Sequence, residues 1–186
     1  EEAKRVLAQA LFILHFRGLD GQALLGKGVT SASTAVASGL LNDKPLIWGD
    51  QTGTNGVKYL GMEHFWGNVY DFMDGMTQTA DHFLYKIHGP YNDAGSGYLT
   101  GSALPANSYI DDMAFANGYG MAPSVTVSAD PDSKYHDYFY QGGAGVVRYV
   151  GGYWSDGAIA GPFCWGEYTA AYSSTSIGAS LFATPQ

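Results

Sequence analysis

Over the first sixteen residues Leu7, Leu11 and Leu14 recur at helical spacing, and Glu1 and Glu2 put negative charge at the favourable end of the helix dipole. A helix over Glu1 to Phe16, ending at Gly18, follows. From Gly18 to Gly56 the pattern dissolves into Gly, Ser, Thr and Asn, broken by the apolar run Pro45 to Trp48, which predicts a short strand. Met62, Trp66, Val69, Met73 and Met76 then step by three or four, which predicts a second helix, weakened at Gly67. Alternation of Phe83, Tyr85 and Ile87 with Leu84 and Lys86 predicts a strand over His82 to His88, and Ser124 to Ser128 reads as another. Gly89 to Ala122, between them, is too long for a simple connection. It is either a functional excursion or holds short strands of its own.

The chain closes on Arg148 to Leu181, RYVGGYWSDGAIAGPFCWGEYTAAYSSTSIGASL, where Gly and Trp alternate with small, polar and Tyr residues. As a strand, Gly161 to Tyr168 sends Phe163 and Trp165 to one face and Cys164, Gly166 and Tyr168 to the other, with the apolar pair buried. Ile177, Ala179 and Leu181 form the inward side of a last strand. What remains exposed is Tyr153, Ser155, Asp156, Ile159, Tyr168, Tyr172, Ser174 and Thr175, mostly on bends. Taken singly, each is equally readable as a solvated turn residue. As a group they have the composition of a binding surface: Tyr offers a large contact area with two side-chain torsions, and Ser and Thr add adaptable hydrogen bonding.

Composition narrows the picture. With 186 residues, 46% hydrophobic and 15% aromatic, the chain suffices for one good-sized core, and residues 1–186 are expected to form a single domain. A mean hydropathy of -0.10 and the lack of a long uncharged apolar run predict no membrane insertion. A net charge of -8, without a basic patch, argues against nucleic acid as a partner. One cysteine, Cys164, rules out an internal disulfide, so the core must supply the stability. The start at Glu1, without Met or a signal peptide, suggests the C-terminal portion of something longer.

Several pieces of the chain carry a resemblance. GGYW (Gly151 to Trp154), AGPF (Ala160 to Phe163), SSTS (Ser173 to Ser176) and IGASL (Ile177 to Leu181) stand in an order and spacing similar to the variable region of proteins diversified by retroelements. Upstream, GMEHFWGNVYDFMDGM (Gly61 to Met76) resembles a GIENFWGN-type helix of phage tail-fibre and related surface proteins that end in such a domain. The resemblance implies an α+β, C-type-lectin-like fold, related to the formylglycine-generating enzymes, with two helices, small antiparallel sheets and long loops. It implies a receptor-binding function at the tip of a bacteriophage tail fibre, directed at a protein or glycan of the bacterial surface and carried by a homotrimer. A bacterial cell-surface ligand-binding protein of the same fold is the first alternative, and a formylglycine-generating-type oxidase, which would need a second cysteine, is the next. The family's mechanism replaces template adenines, and every residue of the exposed set is reachable from an Asn codon in that way. Trp154, Trp165 and Glu167 are not, which marks the two tryptophans as scaffold.

Catalysis has few candidates. Oxygen-dependent formylglycine-generating enzymes use paired cysteines, and Cys164 has neither a second cysteine nor a nearby His or Lys to activate it. His64, His82, His88 and His136 show no zinc-ligand spacing, and His15 lies in an apolar helical run. Asp111, Asp112, Asn92 and Asp93 offer oxygen ligands without an EF-hand pattern. Glu63 and Asp71 are a possible carboxylate pair on what reads as a structural helix. The expectation is therefore a binding domain with no catalytic residue, metal or cofactor.

Overall fold

The computed structural model describes residues 2–116 and 120–178. Two helices come first, α1 (Glu2–Phe16) and α2 (Gly21–Leu24), and strands make up most of the rest. In chain order these are β1 (Lys58–Tyr59), β2 (Met62–Glu63), β3 (Tyr70–Gln78), β4 (His82–Tyr85), β5 (Leu99–Ala103), β6 (Ser108–Ala116), β7 (Gly120–Val127), β8 (Tyr138–Phe139), β9 (Val147–Val150), β10 (Trp165–Tyr168) and β11 (Ile177–Gly178). β1 and β2 pair by themselves. The other nine form one sheet in the order β5-β4-β3-β9-β10-β8-β6-β7, with β11 against β3. β5 comes back against β6 and β7, so the sheet curls nearly into a barrel. A mixed α and β domain is thus present. In place of small antiparallel sheets it has one large sheet, with parallel pairings at β10–β8 and β11–β3.

α1 forms where expected, but its leucines face outward. Ala8, Gln9 and Phe12 are buried, whereas Leu7, Leu11 and Leu14 are 58%, 38% and 74% exposed. The helix is held down by Phe12, whose ring meets Tyr59 and Trp66 edge-on, and by Gln9, which donates to the Pro162 carbonyl at 2.6 Å.

The helix expected over Met62 to Met76 does not form. His64, Gly67 and Asn68 all take left-handed backbone angles (φ 52°, 72° and 69°), and no α-helix continues through them. Asn68 is committed elsewhere, its side chain bridging both backbone groups of Val36 at 2.7 and 3.0 Å. The three-to-four step of apolar residues arose because a turn and a strand each contributed part of it.

The run Pro45 to Trp48 is not a strand either. Trp48 alone pairs, as an isolated bridge to Lys58, and Leu46 is 69% exposed. Of the strand expected over His82 to His88 only the first half forms, as β4, with Phe83 and Tyr85 buried; Ile87, beyond its end, is exposed. Ser124 to Ser128 falls largely in β7. Gly89 to Ala122 contains β5, β6 and the start of β7, so the long stretch supplies sheet.

The core lies inside the curl. Trp66, Phe83, Phe139, Phe163 and Trp165 are all buried, with Phe83 meeting both Phe139 and Trp165 edge-on at about 6 Å. Phe163 and Trp165 are both inside, as expected, but the strand expected over Gly161 to Tyr168 begins only at Trp165, and Phe163 is buried from the turn before it. Ile177 is half-buried, and Ala179 and Leu181 lie outside the described residues. No helix among the described residues is long and apolar enough to cross a membrane.

Candidate binding face

β9 lies between β3 and β10, and the register aligns Phe72 with Tyr149 and Gly166, and Met73 with Arg148 and Glu167. Residues directly opposite in a ladder share a face. Met73, Arg148, Glu167 and Trp165 therefore point to the core, while Tyr70, Phe72, Tyr149, Gly166 and Tyr168 point outward.

Inside, Arg148 is fully buried with its guanidinium between the rings of Phe83 and Phe139, 5.0 and 4.9 Å from their centroids. It donates to the Tyr140 carbonyl at 2.8 Å and to Gln78 Oε1, and Glu167 stands 3.9 Å away. Burial lowers its pKa to about 10, so it stays charged at neutral pH. Glu167 in turn accepts from the Gly142 backbone N–H. A charge held this way fixes β9 and β10 against β4 and β8.

Outside, the ring of Tyr149 covers Gly166, and Tyr70 packs on Tyr149 with centroids 4.0 Å apart. Tyr153 adds a third ring, 5.3 Å from Tyr70. Asp156 ties the group together: its Oδ2 accepts from the Tyr70 hydroxyl and from the Tyr153 backbone N–H, the latter at 3.0 Å. Burial pushes the Asp156 carboxyl up to about 6, against the pull of both hydrogen bonds, and raises the phenols of Tyr70 and Tyr149. At the far end of β10, Tyr168 is 42% exposed and Tyr172 stacks flat on it at 3.4 Å.

The segment 169–176 joins these two groups. It leaves β10 at Tyr168 and ends at β11 on the opposite side of β3, where the Tyr70 N–H donates to the Ser176 carbonyl at 2.8 Å. With the inner face filled, it crosses the outer one, as the Tyr172 stack requires. Ser174 lies on this strap, its hydroxyl 2.9 Å from that of Ser176, and Thr175 beside it is exposed.

The eight residues predicted from sequence thus occupy three places. Tyr153, Ser155, Asp156 and Ile159 follow β9, with Ile159 ending a short 3-10 turn at Gly157–Ile159. Tyr168 ends β10, and Tyr172, Ser174 and Thr175 ride the strap. Tyr153 and Asp156 meet Tyr70, and Tyr172 meets Tyr168, on the outer side of β3 and β10. The structure also corrects the expected exposure: Ser155, Tyr168 and Thr175 are exposed, whereas Tyr153, Asp156, Ile159, Tyr172 and Ser174 are half-buried. Asp156 is a structural acceptor, which is why it cannot be an open loop residue. Cys164 and Gly166 are buried as well, since the tyrosine cluster covers that side of β10. Tyr70, Phe72 and Tyr149 were missed. Alternation in Val147–Val150 would have found Tyr149, opposite in direction to Arg148. Tyr70 and Phe72 were hidden by the helical assignment.

Several of the other candidates for chemistry are engaged in structural contacts. Burial holds the Cys164 thiol well above its usual range. Glu63 accepts from the N–H groups of Gly39 and Leu41, and Asp71 pairs with Arg5 at 3.5 Å. Asp111 pairs with Lys134, and Asn92 closes a turn onto Ser96. Among the described residues no three His, Cys, Asp or Glu side chains converge as metal ligands would. Comparison with protein-family models, curated proteins and solved structures returns no match.

Proposed function

We propose that this chain is a receptor-binding domain of the C-type-lectin-like, retroelement-diversified kind, acting at the tip of a bacteriophage tail fibre. Its target would be a protein or glycan on the bacterial surface. The observation that carries the reading is the stacked, outward Tyr168–Tyr172 pair, mounted on strands whose inner face is locked by Arg148. Rigid aromatic contacts on a fixed scaffold lose little freedom on binding. The buried Tyr149, with the half-buried Tyr70 and Tyr153, supports the same face from beneath. The crossing strap supplies Ser and Thr hydroxyls at its edge.

A homotrimer fits this function, because several weak sites acting together hold a surface that one cannot. The outward Leu7, Leu11 and Leu14, spaced four and three apart, give α1 an apolar seam of the kind that packs against a copy of itself. Sedimentation velocity on the intact chain and on Leu7→Glu/Leu14→Glu reads this directly, with a trimer expected for the first and a monomer for the second.

The decisive experiment replaces Tyr153, Tyr168 and Tyr172 together by Ala. Attachment to target cells should be lost while circular dichroism and the melt show a folded domain. Retained attachment by the folded triple variant would move the site off this face. EDTA should leave binding unchanged, whereas recognition through bound calcium would be abolished by it.

A further inference from the structure

Among the described residues Asn55 is the one asparagine followed by glycine; Asn42, Asn68, Asn92 and Asn107 precede Asp, Val, Asp and Ser. That succession is the chemically weakest setting for a side-chain amide. The backbone nitrogen of the next residue can attack the amide carbon Cγ, and a glycine there brings no Cβ to obstruct the approach and turns freely into it. Asn117, which precedes Gly118, lies outside the described residues.

The fold demands both residues. A side chain at position 56 would bring its Cβ within 2.5 Å of His64 Nδ1, so packing imposes the glycine. Asn55 donates from Nδ2 to Asp50 Oδ2 at 2.7 Å, while the N–H and hydroxyl of Thr52 donate to the other carboxylate oxygen at 3.0 and 2.7 Å. Burial pulls the Asp50 carboxyl upward, but the bonds from Thr52 and Asn55 outweigh it and hold the group below its usual range. Asn55 is thus the neutral donor that closes the loop 50–55 onto a charged group.

Asn55 is exposed, at the end of a run of bends with neither helix nor strand, where local opening costs far less than unfolding. The Gly56 N–H beneath it has no hydrogen-bond partner among the described residues. A backbone N–H inside a ladder is held in place by its acceptor, and this one is not. Its nitrogen can form a bond to Asn55 Cγ as its proton passes to the departing amine. The Cγ–Nδ2 bond breaks, ammonia leaves, and a cyclic imide remains. Water then opens either imide carbonyl to give aspartate or isoaspartate, with no change of oxidation state.

The product has a consequence beyond the loop. The Gly53 carbonyl accepts from the N–H groups of Thr30 and Ser31 at 2.9 and 2.8 Å. On the other side of that segment the Gly157 N–H donates to the Thr30 carbonyl at 2.8 Å and the Ala32 N–H to the Trp154 carbonyl at 2.9 Å. The chain at 30–32 is therefore pinned between the loop 50–55 and the turn that carries Tyr153 and Asp156. An acid at position 55 replaces a donor by a second negative charge facing Asp50, and the loop loses its closure. We propose that Asn55 is a site of spontaneous deamidation, and that its conversion to an acid opens the loop and loosens the 153–157 turn behind it.

The test holds the intact chain at mildly alkaline and at mildly acidic pH and follows each asparagine by tandem mass spectrometry, with an isoaspartyl methyltransferase reporting the isomer. At alkaline pH Asn55 should become acid at least about tenfold faster than Asn42, Asn68, Asn92 or Asn107, the glycine being the difference. Acidic pH should slow it, since the Gly56 nitrogen must give up its proton. Asn55→Gln, whose longer side chain disfavours the cyclic imide, should keep its amide. Asn55→Asp should melt about 2–4 °C lower and shift the N–H signals of Thr30, Ser31 and Gly157 in nitrogen-15 correlation spectra. If that variant does not fold, the same shifts growing with the acid product in the ageing parent chain decide the matter. The proposal is overturned if Asn55 keeps its amide while the other asparagines convert as fast, if Asn55→Gln converts at the parent's rate, or if the acid forms and Thr30, Ser31 and Gly157 do not shift.

Discussion

Tyr149 lies so closely over Gly166 that a Cβ on the glycine would stand 2.1 Å from the tyrosine ring. The contact is possible only because β10 carries no side chain at that position, and it seats the tyrosine on which Tyr70 packs. Gly166→Ala should therefore lift Tyr149 and cost about 1–3 kcal/mol by overpacking. Urea unfolding measures the loss, and receptor binding should fall further than stability alone explains. Gly145→Ala is an unsuitable control, since its φ of 73° adds strain of its own; Gly143, with open space around it, serves instead.

Asp156 should make stability depend on pH in a definite direction. Its folded pKa of about 6 lies above the free value of 3.8, so the folded state binds the proton more tightly. Its contribution is fully present below about pH 4 and is lost as pH rises through 6. Asp156→Asn keeps an acceptor oxygen for Tyr70 and Tyr153 but cannot ionise. The stability of the parent chain relative to this variant should fall by on the order of 2–3 kcal/mol between pH 4 and pH 7. A difference that stays flat across that range in urea melts would remove the buried-carboxyl account.

Core and surface should separate cleanly by truncation. Phe163→Ala and Trp66→Ala remove buried rings and should each cost about 3–5 kcal/mol. Tyr168→Ala, at an exposed position, should cost well under 1 kcal/mol while reducing binding. Thermal melts with the opposite ranking would reverse the two faces of β10.

Arg148→Met tests the inner lock. Removing the guanidinium leaves Gln78, the Tyr140 carbonyl and Glu167 facing a charge that is gone, and loss of one partner of a buried pair costs about 3–5 kcal/mol. Adding Glu167→Gln should recover part of that, because no uncompensated carboxylate is then left inside.

What could be read from the sequence was whatever a local pattern decides. β4 and the strand at 124 to 127 follow from a period of 2 within one element; α1 forms where its leucines recur, although those leucines face outward, and Phe163 and Trp165 are both inward although only Trp165 lies on β10. The stretch from Met62 to Met76 misled because its apolar spacing ignores backbone angles, and the left-handed turns at His64, Gly67 and Asn68 reveal themselves only in the fold. The candidate face was half legible. Tyr153, Tyr168 and Tyr172 announce themselves by composition, but Tyr70, eighty-odd positions from the nearest of them, joins through the pairing of β3 with β9 and β11. Asp156 looked like a loop carboxylate because nothing local showed that Tyr70 would donate to it.

The strap over the outer face is tethered at both ends to strands of the same sheet, and that sets a minimum length. Three strand spacings across and about four residues along put its anchor points roughly 20 Å apart. Nine links from Tyr168 to Ile177 reach about 30 Å when drawn out straight. The surplus is taken up by the turns. Removing about three residues would pull the segment taut and strip β11 from β3, whereas adding a few costs little closure entropy. This face tolerates change of side chain and gain of length, but not shortening.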